Sequence, residues 1–225
     1  LAFVKPHAAW QPCRESGQAP ANQLIPLAAG EVILGKGFDD TTYGWDNEYG
    51  RHRAQVPAFE ASQYLVSNQE FLAFVEAGGY REDRYWSEEG LNWRNYAQAA
   101  HPTFWLKTAD GWQLRLMTEV VPMPWDWPVE VNYLEAKAFC QWQSEQLGRS
   151  VRLPTEDEWQ RIYAVSGASE VAPDKAADSN RHLDHYASSC PVTQFRHGDF
   201  YDVTGNVWQW TETPTYPFDG FDVHP

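Results

Sequence analysis

Val151-Arg152-Leu153-Pro154-Thr155-Glu156-Asp157-Glu158-Trp159 and, further on, Gly205-Asn206-Val207-Trp208-Gln209-Trp210-Thr211 are the two stretches whose reading decides the fold. The first is a helix start. The Thr155 hydroxyl can take the amide three residues on while Glu158 reaches back to the Thr155 amide, a capping box that satisfies two orphan donors. Trp159, Ile162 and Tyr163 then recur at helical spacing and face inward. The same device stands at two other places. Ser67-Asn68-Gln69-Glu70 precedes Phe71, Phe74 and Val75, and Gly78-Gly79 supplies the stop. Asn132 with Glu135 opens a helix whose inward face is read as Ala136, Phe139, Cys140 and Leu147, ended by Gly148.

Outward from these helices the chain is irregular. Leu24 to Leu34 reads as a strand pair around Ala29-Gly30, and residues 1–24, with Pro6, Pro12, Gly17 and Pro20, read as a linker from a preceding domain. Gly35-Lys36-Gly37 lacks the strand–GxxxxGK[ST]–helix frame of a phosphate loop. Tyr80 to Trp127 is a long aromatic stretch, and from Ser166 to Phe200 the chain turns rich in Gly, Ser, Asp and His. The class is α+β, with few short helices packed on short antiparallel strands and much irregular structure.

The 225 residues include 12 Trp, 11 Tyr and 11 Phe, enough rings for one sizeable core. A net charge of −14 repels phosphate backbones and anionic lipid, so neither nucleic acid nor a membrane is an expected partner. No apolar run approaches a bilayer span. Cys13, Cys140 and Cys190 are an odd number at irregular spacing, which fits a reducing compartment and places the protein in the cytoplasm.

The two opening stretches, with Val131-Asn132-Tyr133-Leu134-Glu135-Ala136-Lys137-Ala138-Phe139-Cys140 and Tyr64-Leu65-Val66-Ser67-Asn68-Gln69-Glu70-Phe71, resemble the formylglycine-generating-enzyme (sulfatase-modifying factor) domain over residues 25–225. The resemblance implies a C-type-lectin-like fold. Thr42-Tyr43-Gly44-Trp45-Asp46-Asn47-Glu48-Tyr49-Gly50, His101-Pro102-Thr103-Phe104-Trp105, Met123-Pro124-Trp125-Asp126-Trp127-Pro128 and the closing Tyr216–Pro225 are similar to the 5-histidylcysteine sulfoxide synthases of ovothiol biosynthesis. The ergothioneine sulfoxide synthases share the Asp46-Asn47-Glu48 element.

That narrower resemblance implies an enzyme using O2 and Fe(II) to join cysteine sulfur to a histidine ring carbon. The iron sits on a DinB-like helical domain of the same full-length protein, and a methyltransferase often follows. The chain lacks the His-x3-His-x-Glu ligand motif, so it is read as the central domain, truncated before the final stretch that carries the family's active-site tyrosine, and inactive by itself. His182 and His185 are the one close histidine pair, weighed as ligands against a loop role.

A site for two zwitterions needs aromatic walls with fixed charged groups. Trp45, Asp46, Asn47, Trp125, Asp126 and Trp127 have that character; the other reading is that the aspartates cap turns while the rings fill core. Arg51, Arg53 and Arg94 could hold a carboxylate or form surface salt bridges. The resemblance further implies a structural Ca2+ at Asp202, the carbonyls of Gly205 and Val207, and Gln209, where the family has Glu. Formylglycine chemistry needs a reactive cysteine pair that these three cysteines do not reproduce. A non-catalytic lectin-like binding module is the reading from a different class.

Overall fold

Each capping box begins a helix, and the rings behind it form the centre of the molecule. In a computed structural model, which describes residues 10–41, 43–168, 179–181, 185–219 and 221, the elements run β1 (Leu24–Leu27), β2 (Gly30–Leu34), β3 (His52–Val56), β4 (Phe59–Ser62), α1 (Asn68–Glu76), α2 (Glu88–Ala97), β5 (Trp105–Thr108), β6 (Gly111–Arg115), β7 (Val120–Pro122), α3 (Tyr133–Leu147), α4 (Glu156–Ser166), β8 (Arg196–His197) and β9 (Phe200–Tyr201). Short 3-10 turns cover Asp46–Glu48 and Asp83–Tyr85.

The boxes at α3 and α4 are complete. The Glu135 amide donates to Asn132 Oδ1 and the Asn132 amide to Glu135 Oε2, both at 2.9 Å. The Glu158 amide donates to Thr155 Oγ1 (3.2 Å) and the Thr155 amide to Glu158 Oε2 (2.8 Å). Arg152 grips the same carboxylate through both guanidinium nitrogens, which holds it below the usual carboxylate range. At α1 the Ser67 hydroxyl accepts the Glu70 amide, while the Glu70 carboxylate takes Asn22 Nδ2.

The inward face of α3 differs from the periodic reading. Glu135, Ala138, Phe139, Cys140 and Trp142 are buried, whereas Leu147 is half exposed and Ala136 lies at the margin. Trp142, one turn past Ala138, takes the place expected for Leu147 because the ring cluster lies on that side.

Strand pairing also differs. β1 and β2 exist but do not pair with each other. β2 pairs antiparallel with β3 (Gly30↔Val56 to Leu34↔His52), and β1 pairs outside it with β4 (Leu24↔Ser62 to Leu27↔Phe59), so one hairpin is nested in another. The aromatic stretch contains the three-stranded sheet β5–β6–β7 and the helix α2. Ser87 caps α2 by accepting the Gly90 amide, but the residue at that position carries no side chain to return the bond.

The main core joins Phe71 and Phe74 of α1, Tyr80, Tyr85 and Trp86, Trp105 of β5, Trp127, and Phe139 and Trp142 of α3. Gly79 is required there, because a Cβ would sit 2.1 Å from the Phe74 ring. Leu27, Phe200 and Val203 form a second cluster under Ile162 and Tyr163 of α4, and Val32, Leu34 and Val56 a third.

The expected linker needs revision where it is described. Residues 1–9 lie outside the described residues. Residues 10–17 are irregular, as Pro12 and Gly17 suggest, but they are strapped onto the domain: Cys13 is buried in the main core, its amide donates to Ser188 Oγ, and the Ala187 amide donates to the Gln11 carbonyl. No helix among the described residues is long and apolar enough to cross a membrane.

Candidate functional site

An open cleft of about 2050 Å3 runs between the end of β2, the end of β6, the start of α3, the start of α4 and the loop after β9. Two kinds of group line it. Phe104, Trp159, Trp208, Trp210, Tyr216 and Phe218 give aromatic walls, and Trp208 is fully exposed to the cleft and solvent. Arg115 and Arg181 contribute guanidiniums, and Glu48, Glu130 and Glu156 carboxylates. Such a surface can take a small organic ion bearing both charges, stack its planar parts and fix its ends.

Several of these groups are held by the surrounding fold. Trp210 donates its indole N–H to the Val131 carbonyl (3.0 Å) and meets Tyr133 edge to face. Trp159 stacks on Tyr163 at 5.5 Å, so α4 presents it as a fixed plate. Glu130 accepts from Ser189 Oγ (3.4 Å). Beneath the cleft Glu135 is almost wholly buried; burial pushes its carboxyl up while the Tyr80 hydroxyl, donating at 2.5 Å, stabilises the charged form.

The floor is a buried polar knot at the Gly205–Thr211 stretch. Asn206, at φ +60°, donates Nδ2 to the Cys190 carbonyl and to Asp202 Oδ2, and accepts the Cys190 amide at 2.9 Å. Asp202 is fully buried, at φ +48°, and its Oδ1 has no hydrogen-bond partner among the described residues. Burial pushes its carboxyl up to about 7, only partly offset by Asn206.

Gln209 turns inward, its Nε2 donating to the carbonyls of Asp202 (2.8 Å) and Val203 (3.3 Å), and the Gly205 carbonyl accepts the Val207 amide. Calcium needs several oxygen donors. Here the position expected to supply one points an N–H2 group inward, and Asp202 is the single carboxylate of the set. The four positions therefore do not fit Ca2+. Among the described residues no group of three or more His, Cys, Asp or Glu could hold a metal ion. His182 lies outside the described residues, and His185 packs its ring on Phe195.

Of the residues singled out from sequence, Asn47 lines the cleft. Trp45 is largely exposed on the β2–β3 loop, edge-on to Tyr43, and Asp46, the first residue of the 3-10 turn, accepts the Asn47 amide. Trp125-Asp126-Trp127 follows the turn-and-core reading. Its carbonyls take the Asn68 and Gln69 amides at the start of α1, and Trp125 packs on Trp105. The buried Asp126 carboxylate accepts Ser16 Oγ and the Gly17 amide (2.8 Å), and Trp127 donates its indole N–H to the Glu15 carbonyl. This element ties down the strap. Asp126→Ala is expected to cost about 2 kcal/mol, because the Gly17 amide loses its acceptor; urea unfolding measures the loss, and faster amide exchange at Gly17 locates it.

Arg51 and Arg53 pair with Asp39 and Glu31 at the surface, and Arg94, its side chain largely buried, pairs with Asp83. The three cysteines are free and buried. Burial is the chief cause of the raised thiols, Cys140 to about 11 and Cys190 higher still, so neither supplies a thiolate nucleophile. Arg115, Arg181 and Glu130 were not foreseen, since a single charged residue on a strand or loop leaves no periodic signal.

Short helices on small antiparallel pairs, with irregular chain closing a cleft, define an α+β fold of the formylglycine-generating-enzyme kind. PvdO from Pseudomonas aeruginosa shares it, with a TM-score of 0.58 at 20% identity over 88% of this chain and 76% of that one. The chain belongs to the FGE-sulfatase family, the sulfatase-modifying factor enzyme 1-like domain, which matches residues 11–219. It is 34% identical to the hercynine oxygenase of Mycolicibacterium thermoresistibile over 84% of this chain and 43% of that protein. It is 31% identical to that of Mycolicibacterium smegmatis over 93% and 49%, and 28% identical to the formylglycine-generating enzyme of Bos taurus over 86% and 58%. The chain thus spans about half the length of the hercynine oxygenases it matches. The family match begins at residue 11, inside the strap.

Proposed function

We propose that this domain forms the substrate-side wall of an oxygen-dependent sulfoxide synthase, coupling cysteine sulfur to a ring carbon of histidine. The observation that carries it is the cleft beside Gly205–Thr211, aromatic and bearing both charges, in a chain 34% identical to a hercynine oxygenase. The reaction balances with O2 alone. The thiol and the ring each give up one hydrogen, one oxygen atom goes to sulfur, and the other leaves as water.

In this reading Fe(II) supplies the activation of O2, held by a helical domain of the same full-length protein and by none of the residues described above. The residues of this chain bind and orient. Trp159, Trp208 and Trp210 offer faces for a planar ring and narrow the space open to water, and Glu130 can meet an ammonium. Three buried free thiols suit a reducing compartment, the cytoplasm.

The names of the relatives favour a second reading, in which the acceptor is hercynine, the trimethylated histidine of ergothioneine-type synthesis. One experiment separates the two. The full-length protein, with Fe(II) and O2, is given cysteine with either histidine or hercynine, and products are followed by mass spectrometry. 5-Histidylcysteine sulfoxide from histidine is the expected product. A product from hercynine alone favours the second reading, and none from either leaves a binding module.

A further inference from the structure

Acids outnumber bases 31 to 17 in this chain, so a guanidinium has carboxylates close at hand. Most arginines use them: Arg14, Arg51, Arg53, Arg84, Arg94, Arg149 and Arg152 each bridge to an Asp or Glu. Arg161 and Arg196 give Nε to backbone carbonyls. Arg81, Arg115 and Arg181 do neither among the described residues. Arg81 is exposed on the surface, where water solvates it. Arg115 and Arg181 are half-buried and both line the cleft.

Partial burial of a guanidinium without a counter-charge is unfavourable. The fold nevertheless fixes where both residues stand. Arg115 closes β6, paired with Val120 of β7, and its amide donates to the Phe104 carbonyl (2.8 Å), so its Cα sits on a three-stranded sheet rather than a free loop. Arg181 runs its stem over Gly205, where a Cβ would stand 3.1 Å from its Cγ; the glycine that opens Gly205–Thr211 leaves it that room. The acids of the cleft, Glu48, Glu130 and Glu156, bridge to neither arginine.

We propose that Arg115 and Arg181 are carboxylate-binding residues of the cleft, each taking the carboxylate of an amino-acid ligand through its two-pronged donor edge. This rests on the cleft being an amino-acid site, and it deepens that reading by naming which groups hold the acid end. Two guanidiniums match two amino-acid substrates, and the aromatic plates of the cleft are left for the side chains. A carboxylate on a guanidinium fork gains both charge and paired hydrogen bonds, which an amine of the same skeleton cannot replace.

The test needs no turnover. Trp159, Trp208 and Trp210 line the cleft, so the intrinsic fluorescence of the full chain reports occupancy. L-histidine and histamine, then L-cysteine and cysteamine, are titrated into the wild-type chain and into Arg115→Gln, Arg181→Gln and Arg81→Gln, with circular dichroism confirming that each is folded. The wild type is expected to prefer each amino acid over its decarboxylated amine by about tenfold or more, as charged hydrogen bonds of this kind imply. Arg115→Gln and Arg181→Gln are each expected to abolish that preference for one amino acid while leaving amine binding alone, and Arg81→Gln to change nothing. A wild type that does not distinguish acid from amine, or cleft variants that keep the preference, would overturn the proposal. Intact preferences in a full-length protein that makes no sulfoxide would sink the synthase reading and leave the carboxylate anchors standing.

Discussion

Phe74→Ala is expected to destabilise the domain by about 3–5 kcal/mol, the range for truncating a fully buried ring. Phe74 has no exposed surface and meets five other rings, those of Phe71 (5.3 Å), Tyr80 (5.7 Å), Trp142 (5.9 Å), and Tyr85 and Phe139 (both 6.1 Å). These rings come from α1, the turn after it, the following 3-10 turn and α3, so their positions are set by separate backbones that cannot all close on one void. The edge-to-face contacts with Phe71, Tyr85 and Phe139 add an aromatic contribution beyond area burial. On its other side the ring lies against Gly79, where the backbone leaves no slack. Urea unfolding at neutral pH measures the change from the midpoint at constant slope. A loss below about 1 kcal/mol would mean that the cluster repacks, against the tight interlock seen here.

Asp202→Asn is expected to stabilise the domain, and the gain should depend on pH. The Asp202 carboxyl is raised from 3.8 to about 7 by burial. Between those values the folded chain holds a proton that the unfolded chain has released. The protonated carboxyl is therefore fully compatible with folding below about pH 4, and stability is lost as pH rises through 7. Each tenfold displacement of an ionisation is worth about 1.4 kcal/mol, so the ionised aspartate costs the fold about 4 kcal/mol above pH 7. Asparagine avoids that cost, tolerates the positive φ of this position, and can still accept from Asn206 Nδ2 through its carbonyl oxygen. Urea unfolding of both proteins at pH 4.5, 6 and 8 is expected to give a small difference at the lowest pH and a gain of several kcal/mol at the highest. Added calcium should leave both curves in place. If the substitution instead destabilises at pH 8, and calcium raises the stability of the parent alone, a cation neutralises Asp202 and Gln209 turns its amide oxygen, not its nitrogen, inward.

The contrast between these sites and the sequence shows what local pattern can carry. Asn132 with Glu135 and Thr155 with Glu158 form boxes whose members lie three residues apart, so the helices they open were legible, and the family followed from the same residues. α2 was not legible, because Ser87 is followed by Gly90 where a box would place Glu, and the helix ends on Gln98 in a left-handed conformation rather than on glycine. β1 and β2 were visible as strands, but read as partners of each other, since their true pairing with β4 and β3 depends on where the chain returns. Trp125-Asp126-Trp127 had the chemistry expected of a binding site, yet its geometry assigns it to α1 and the strap. Arg115 and Arg181 had no signature at all. What distinguishes them is the absence of a bridging acid among the described residues, a property of the folded surface.

The nested hairpins divide the chain's tolerance to change unevenly. The ladder between β2 and β3 fixes both ends of the loop over residues 35–51, and the outer pair of β1 with β4 locks that ladder in turn. Closing a flexible loop of twice the length costs only about 0.6 kcal/mol more. Asn47 rides on this loop in the lining of the cleft, and the bridge between Lys36 and Tyr49 holds the loop's base, so residues inserted or deleted between the two would recut the mouth of the site while the register of all four strands stays as it is.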